Sequence, residues 1–140
     1  MQSFKSESEF SKWCINKGHE YGWKVARFHR LPSPGGEQWR TPFGADAKGW
    51  LDLTFCRERL VFAELKHGHA SPTREQRQWI EWLRSAGQEV YLWKDTGDLG
   101  EIEAVLKHTM TPADIARITL DVDGPTIAYA RTTIARAASG

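Results

Sequence analysis

The stretch "GWLDLTFCRERLVFAELKHG", residues 49–68, decides how this chain is read. It holds two apolar runs of strand length separated by the charged triplet Arg57-Glu58-Arg59. Short apolar runs bounded by a polar turn predict two strands, 50–56 and 60–66. Three charges interrupt them: Asp52, Glu64 and Lys66. Alternate residues of a strand share a face, so Glu64 and Lys66 point the same way. If the two strands pair as a hairpin, Asp52 lies near Glu64 on that face.

Two carboxylates brought together in a partly buried place repel, and one takes up a proton unless a cation sits between them. Oxygen-rich clusters of this kind suit Mg²⁺ or Mn²⁺, which keep several waters and bind phosphate oxygens on the far side. A nearby lysine can orient an attacking water or stabilise charge developing on a phosphodiester. A Glu-x-Lys pair is more commonly a solvated face with a salt bridge. The apolar run VFAEL and Asp52, twelve residues upstream, weigh against that here.

Working outward, residues 3–17 carry a helical pattern with Phe10 and Cys14 on one face and Glu7 a turn earlier on the same face. Gly18 ends this helix, or it runs on to the turn at Gly22. GWKVARFH alternates as a strand of residues 23–29. Residues 30–49 are rich in proline and glycine and form a long loop, a length usually reserved for functional segments. Ser71 followed by Pro72 predicts a helix start, and that helix stops at Gly87. EVYLWK, residues 89–94, is a further strand, and Asp98 caps a last helix through DLGEIEAVLKH. The order is helix, three strands, helix, strand, helix, with a βαβ crossover that predicts a mixed sheet. In residues 111–140, TPADIAR reads as a helical turn and DVDG before TIAYA as a small hairpin or tail.

Gln76 falls three, four and seven residues before Trp79, Ile80 and Leu83, on the buried face of its helix. Its amide either reaches a metal-bound water or substrate phosphate, or bonds the backbone at the helix start. Glu7 and Glu9 compete as the acid of the first helix.

Taken together, Glu7, GWLDL, FAELK and SPTREQRQW resemble the PD-(D/E)XK nuclease superfamily, and within it the VRR-NUC (virus-type replication-repair nuclease) domain. The resemblance covers about residues 6–106, including EYGWKVARF, GQEVYLW and the glycine loop before Asp52. It implies an α/β (α+β) restriction-endonuclease-like core of αβββαβ order, with a mixed sheet flanked by helices. Residues 1–110 would be the nuclease domain and 111–140 an extension. By the same resemblance, Asp52, Glu64, the carbonyl of Leu65 and Glu7 would serve Mg²⁺ or Mn²⁺. Lys66 would be the catalytic lysine, with Gln76 and Glu7 completing the catalytic set. One departure is plain: the family's Pro-Asp is Leu51-Asp52 here. Small viral members look like Holliday-junction resolvases, so the resemblance implies a homodimer acting on branched or double-stranded DNA in phage or bacterial replication, recombination or repair. A non-catalytic DNA-binding module on the same fold and a sequence-specific restriction-type nuclease are the alternatives.

Composition bounds these expectations. The 140 residues fit one domain, and a net charge of +1 makes no case for nucleic acid, so basic surface must come from local clustering. Candidate phosphate contacts are Arg27, Arg30, Arg40, Lys48, Lys66, Arg74 and Arg77, with Trp39 as a stacking side chain. His67 and His69 lack the further ligands zinc requires, and His29 is at most an accessory. Cys14 and Cys56 lie in apolar stretches and read as buried free thiols of a reducing compartment. No run approaches the roughly 20 apolar residues of a membrane span, and the polar N-terminus lacks a signal-peptide core. A soluble cytoplasmic protein is the expectation.

Overall fold

The computed structural model describes residues 2–28, 31–32, 39–40, 44–111 and 113. It is an α+β arrangement of a mixed four-stranded sheet and three helices. Helix α1 (Glu7–Glu20) is followed by strands β1 (Lys24–Arg27), β2 (Leu31–Pro32), β3 (Trp39–Arg40), β4 (Leu53–Cys56) and β5 (Leu60–Lys66). Then come α2 (Arg74–Ser85), β6 (Glu89–Lys94) and α3 (Leu99–Lys107). Sheet order is β1-β4-β5-β6, with β2 and β3 forming a separate two-residue antiparallel ladder inside the long loop. Neighbours are antiparallel except β5 and β6, which run parallel because α2 carries the chain back between them.

Several boundaries differ from the sequence expectation for local reasons. Helix α1 starts at Glu7 because the Ser6 hydroxyl accepts the Glu9 N–H, and it runs past Gly18 to the turn at Gly22. Gly18 stays inside the helix because a Cβ there would meet the Phe55 ring at 2.8 Å, so its bare backbone seats α1 on the sheet. Helix α2 is capped by Thr73, not Ser71. Thr73 and Gln76 exchange two hydrogen bonds in a capping box, which outcompetes the Ser71-Pro72 signal just before it. Cys56 ends β4 exposed, contrary to the expectation of burial, while Cys14 is buried. Calls on Arg30, Trp39, Arg40 and His29 side chains and on residues 114–140 lie outside the described residues, as does that on residue 112.

The sheet separates two apolar layers. Odd residues of β5 (Val61, Ala63, Leu65) join Phe10, Trp23 and Leu106 on the side of α1 and α3. On the other side Phe62 joins Leu51, Ile80 and Val90 beneath α2. Leu51, where the resemblance leads one to expect proline, is fully buried in this second layer. Its side chain fills volume that a proline ring would fill less completely.

The charged turn between β4 and β5 has a structural use. Arg57 Nη1 donates to the carbonyl of Tyr21 (2.7 Å), and Arg59 donates to the carbonyls of Val105 and His108 (2.9 Å each). The Arg59 bonds satisfy carbonyls at the C-terminal end of α3, and the Arg57 bond satisfies that of Tyr21, the C-cap of α1. Arg59 also pairs with Glu89 at 2.8 Å. All of this lies at the opposite end of β5 from Lys66.

At that far end, the segment leading into Asp52 is pressed onto the start of α2. The Trp79 indole N–H donates to the carbonyls of Asp46 and Lys48, both at 3.1 Å. Gly49 has φ +86°, and a Cβ on it would lie 2.5 Å from the carbonyl carbon of Glu75. Gly49→Ala is therefore expected to cost more than about 2 kcal/mol, combining left-handed strain with a backbone collision. Gly44→Ala, where a Cβ meets nothing within 4 Å, should stay within about 0.5 kcal/mol in the same denaturant titration. Equal costs for the two substitutions would contradict this packing.

Candidate active site

The pairing of Leu53 with Ala63 sets the site. Continuing that register one step places Asp52 opposite Glu64, on the face shared with Phe62 and Lys66. Beyond Leu53 the chain leaves the ladder, and Asp52 takes over a strand's role with its side chain: Oδ2 accepts the Leu65 N–H at 2.9 Å. Its own carbonyl accepts the Phe28 N–H at 2.9 Å, tying the position to the end of β1. A residue's N–H and C=O leave the same edge of a strand, so the Leu65 carbonyl also points toward Asp52.

Glu64 is completely buried, and Lys66 is nearly so at 9% exposure. The Lys66 ammonium lies 3.1 Å from Glu64 Oε1. That contact is an ion pair without hydrogen-bond alignment, and both Glu64 oxygens are buried with no hydrogen-bond donor among the described residues. A solvated salt bridge, the bland reading of Glu-x-Lys, does not describe this pair.

Electrostatics follow from the geometry. Burial first, and then the neighbouring Asp52, push the Glu64 carboxyl up to about 8. Burial also raises Asp52, opposed by the Leu65 N–H and by Glu64 itself. Burial and mutual repulsion outweigh the pull of Lys66, so the pair favours holding a proton, more on the Glu64 side, where Asp52 adds to burial, than on Asp52, which the Leu65 N–H holds down.

Glu7, rather than Glu9, is the acid of α1 that faces this cluster. Glu7 is an exposed residue, so burial of its carboxyl is only partial. Even so, burial and Asp52 raise it, against the pull of Lys66, His67 and Arg27. Glu9 is turned back on its own helix start, accepting the Lys5 N–H. No three His, Cys, Asp or Glu side chains among the described residues form a closed ligand set, so Glu7 stands outside the Asp52–Glu64 pair. Gln76 is also apart: its Oε1 is engaged by the Thr73 N–H at 2.8 Å in the capping box. The structure places this amide oxygen at the helix start, the second of its two sequence readings.

The basic candidates divide by place. Arg27 ends β1 at the site end of the sheet, in the row of Leu53, within the field of Glu7 and Asp52. Lys48 pairs loosely with Glu75 at 3.5 Å beside the start of α2. Arg74 and Arg77 line a shallow depression of about 500 Å³ on the outer side of α2 with Pro72, Gln78 and Glu81.

One constellation escaped the sequence reading. His67 Nδ1 contacts Asp95 Oδ2, whose other oxygen accepts the Gly68 N–H at 3.0 Å. The Asp95 N–H donates in turn to the Lys66 carbonyl at 3.2 Å. Asp95 resists its own burial through the His67 and Gly68 bonds, which hold its carboxyl low. This weld joins the ends of β5 and β6 and fixes the backbone that carries Lys66. Its signal was the parallel register: pairing Lys66 with Lys94 brings His67 beside Asp95.

The donor set fits a hard divalent cation. The two carboxylates, one of them with both oxygens buried and without donors, and a strand carbonyl are oxygen ligands of the kind by which Mg²⁺ is held while it retains water. Compared with protein-family models, with curated proteins and with solved structures, the chain finds no match in any of the three.

A pH dependence follows. The raised Glu64 contributes stability that is present in full below its unfolded value of 4.5 and is lost as pH rises toward about 8. Without divalent metal, thermal stability is expected to fall across this window, by on the order of a few kcal/mol. Mg²⁺ or Mn²⁺ should restore more stability at pH 8 than at pH 5.5, because the cation displaces the proton. Glu64→Gln should flatten the metal-free profile and remove the stabilisation by metal. A wild-type profile that rises from pH 5 to 8 would contradict the buried-pair account.

Proposed function

We propose that this protein is a Mg²⁺- or Mn²⁺-dependent DNA endonuclease of the PD-(D/E)XK kind, VRR-NUC-like over residues 1–110. Its preferred substrate is branched, junction or flap DNA. The observation that carries the reading is the trio at the end of β5: a buried Glu64 with two donor-less oxygens, Asp52 beside it, and Lys66 3.1 Å away. An interior salt bridge kept for stability would satisfy its carboxylate with hydrogen bonds, since a buried charge without them is costly.

Asp52 and Glu64, with the Leu65 carbonyl, would hold the cation, with Glu7 as a more distant acid. Bound there, the cation would neutralise charge on the scissile phosphate and acidify a water. Lys66, held in place by Glu64, offers its remaining ammonium hydrogens to the attacking water or to the phosphate oxygens. The capping-box bond leaves the Gln76 amide nitrogen as that side chain's means of reaching substrate. Arg27, Lys48, Arg74 and Arg77 supply phosphate contacts of the kind that position DNA without reading bases. A chain of this size embraces a junction only in part, so action as a homodimer in a bacterial or phage-infected cytoplasm belongs to the same proposal. No helix among the described residues is long and apolar enough to cross a membrane.

The test is a panel of four-way junction, flap, single-stranded and supercoiled DNA with Mg²⁺, Mn²⁺ or EDTA. Metal-dependent cleavage is expected, favouring branched substrates. Glu64→Ala and Lys66→Ala should each lower the cleavage rate at saturating DNA by about 10²-fold or more, the usual cost of a lost transition-state contact. Gln76→Ala should cost about 1 kcal/mol of stability through the lost cap, with a smaller loss of rate. Cleavage that survives both Glu64→Ala and Lys66→Ala would overturn the proposal.

A further inference from the structure

The sheet places two exposed side chains on either side of the Asp52–Glu64 pair, and the chemistry described above uses neither. On the β1 side is Phe28, 53% exposed, whose N–H is bonded to the Asp52 carbonyl. Register and alternation put its side chain on the same face as Asp52: Arg27 pairs with Leu53, and Ala26 shares its row with Thr54 and Phe62. Among the described residues no aromatic ring packs against it. On the β6 side is Lys94, exposed and paired in register with Lys66. Two ammonium groups side by side on one face repel each other. Lys66 has Glu64 at 3.1 Å, whereas Lys94 has no ion-pair partner among the described residues. Folding gains nothing from an unpaired lysine beside another lysine, or from a phenyl ring in water beside two carboxylates.

We propose that the bound nucleic-acid strand crosses the end of the sheet from β1 to β6. An unpaired base stacks on Phe28, the phosphate to be cut lies over Asp52 and Glu64, and a neighbouring phosphate rests on Lys94. The order β1-β4-β5-β6 makes this crossing three strand spacings, about 14 Å at roughly 4.8 Å each. At about 3.4 Å per stacked nucleotide, that is roughly four nucleotides. Base stacking on an aromatic ring is tolerant of sequence and requires the base to be out of its duplex. Phe28 would therefore give preference to flaps, gaps and junctions. This path rests on the nuclease reading and specifies how that site takes its substrate.

The test measures binding without cleavage, by fluorescence anisotropy in EDTA. The probes are a fully paired labelled duplex and the same duplex carrying a four-nucleotide single-stranded flap. Phe28→Ala is expected to weaken flap binding about ten-fold, the usual effect of losing one stacked base, and duplex binding less than about two-fold. Phe28→Trp should restore flap binding. Lys94→Ala should reduce the slope of log affinity against log salt by about one on both probes. Lys24→Ala, at the opposite end of the sheet, should leave that slope unchanged. Equal losses on the two probes for Phe28→Ala, or a Lys94→Ala slope equal to wild type, would overturn the path. Failure of the wild type to bind either probe would overturn the path, while the nuclease reading stands or falls on the cleavage panel with metal. Binding that responds as expected supports the path even where no metal brings about cleavage, so the two ideas fail separately.

Discussion

Leu53 opposite Ala63 is the pairing on which the rest depends. It puts Asp52 and Glu64 in one row of one face, where they repel. Lys66, 3.1 Å from Glu64, relieves only part of that repulsion. A slip of one residue would turn Leu53 and Phe55, both fully buried, out of the layer beneath α1 and α3. Apolar packing thus holds two carboxylates together against their own electrostatics. The buried Glu64 then keeps a proton or takes a cation. Burying a carboxylate that has one ion-pair partner and no aligned hydrogen-bond donor is costly for a fold, so its place in a tight core is best explained by a use.

The molecule also keeps its structural charges apart from its site charges. At one end of β5, Arg57 and Arg59 are fully engaged with carbonyls of the chain around α3 and with Glu58 and Glu89. At the other end, among the described residues, Glu64 lacks hydrogen-bond donors and Lys66 has Glu64 as its ion-pair partner. The same strand therefore carries a satisfied polar network and an unsatisfied one, about six residues apart. Gly49, Trp79 and Leu51 hold the approach to Asp52 rigid on α2, and the His67–Asp95 weld does the same for the exit from Lys66. Rigid support on both sides is what a site needs if its carboxylates are to meet an ion without first reorganising.

Much of this was legible in the chain before any coordinates. The β4–β5 hairpin, the crossover to β6 and the Asp98 cap followed from short apolar runs, turn residues and capping chemistry. The Asp52–Glu64–Lys66 face followed from simple alternation. Other features were hidden for physical reasons. Thr73 prevailed over Ser71 because Gln76 could answer it with a second bond, a cooperative effect that single-residue preferences miss. That same bond committed an oxygen that periodicity alone had aimed at the site. Leu51 made sense only once Phe62, Ile80 and Val90 surrounded it. Asp95, Lys94 and Phe28 acquired meaning from register between strands distant in sequence, which no local pattern records.

The central claim is that Asp52 and Glu64 form a seat for one divalent cation, reserved by a proton until the ion arrives. The most direct measurement is calorimetric titration of Mn²⁺ at pH 7 in two buffers of different ionisation enthalpy. The account predicts a single site per chain whose filling releases roughly one proton, with binding lost in Glu64→Gln. Binding with no proton release, or binding that Glu64→Gln leaves intact, would contradict it.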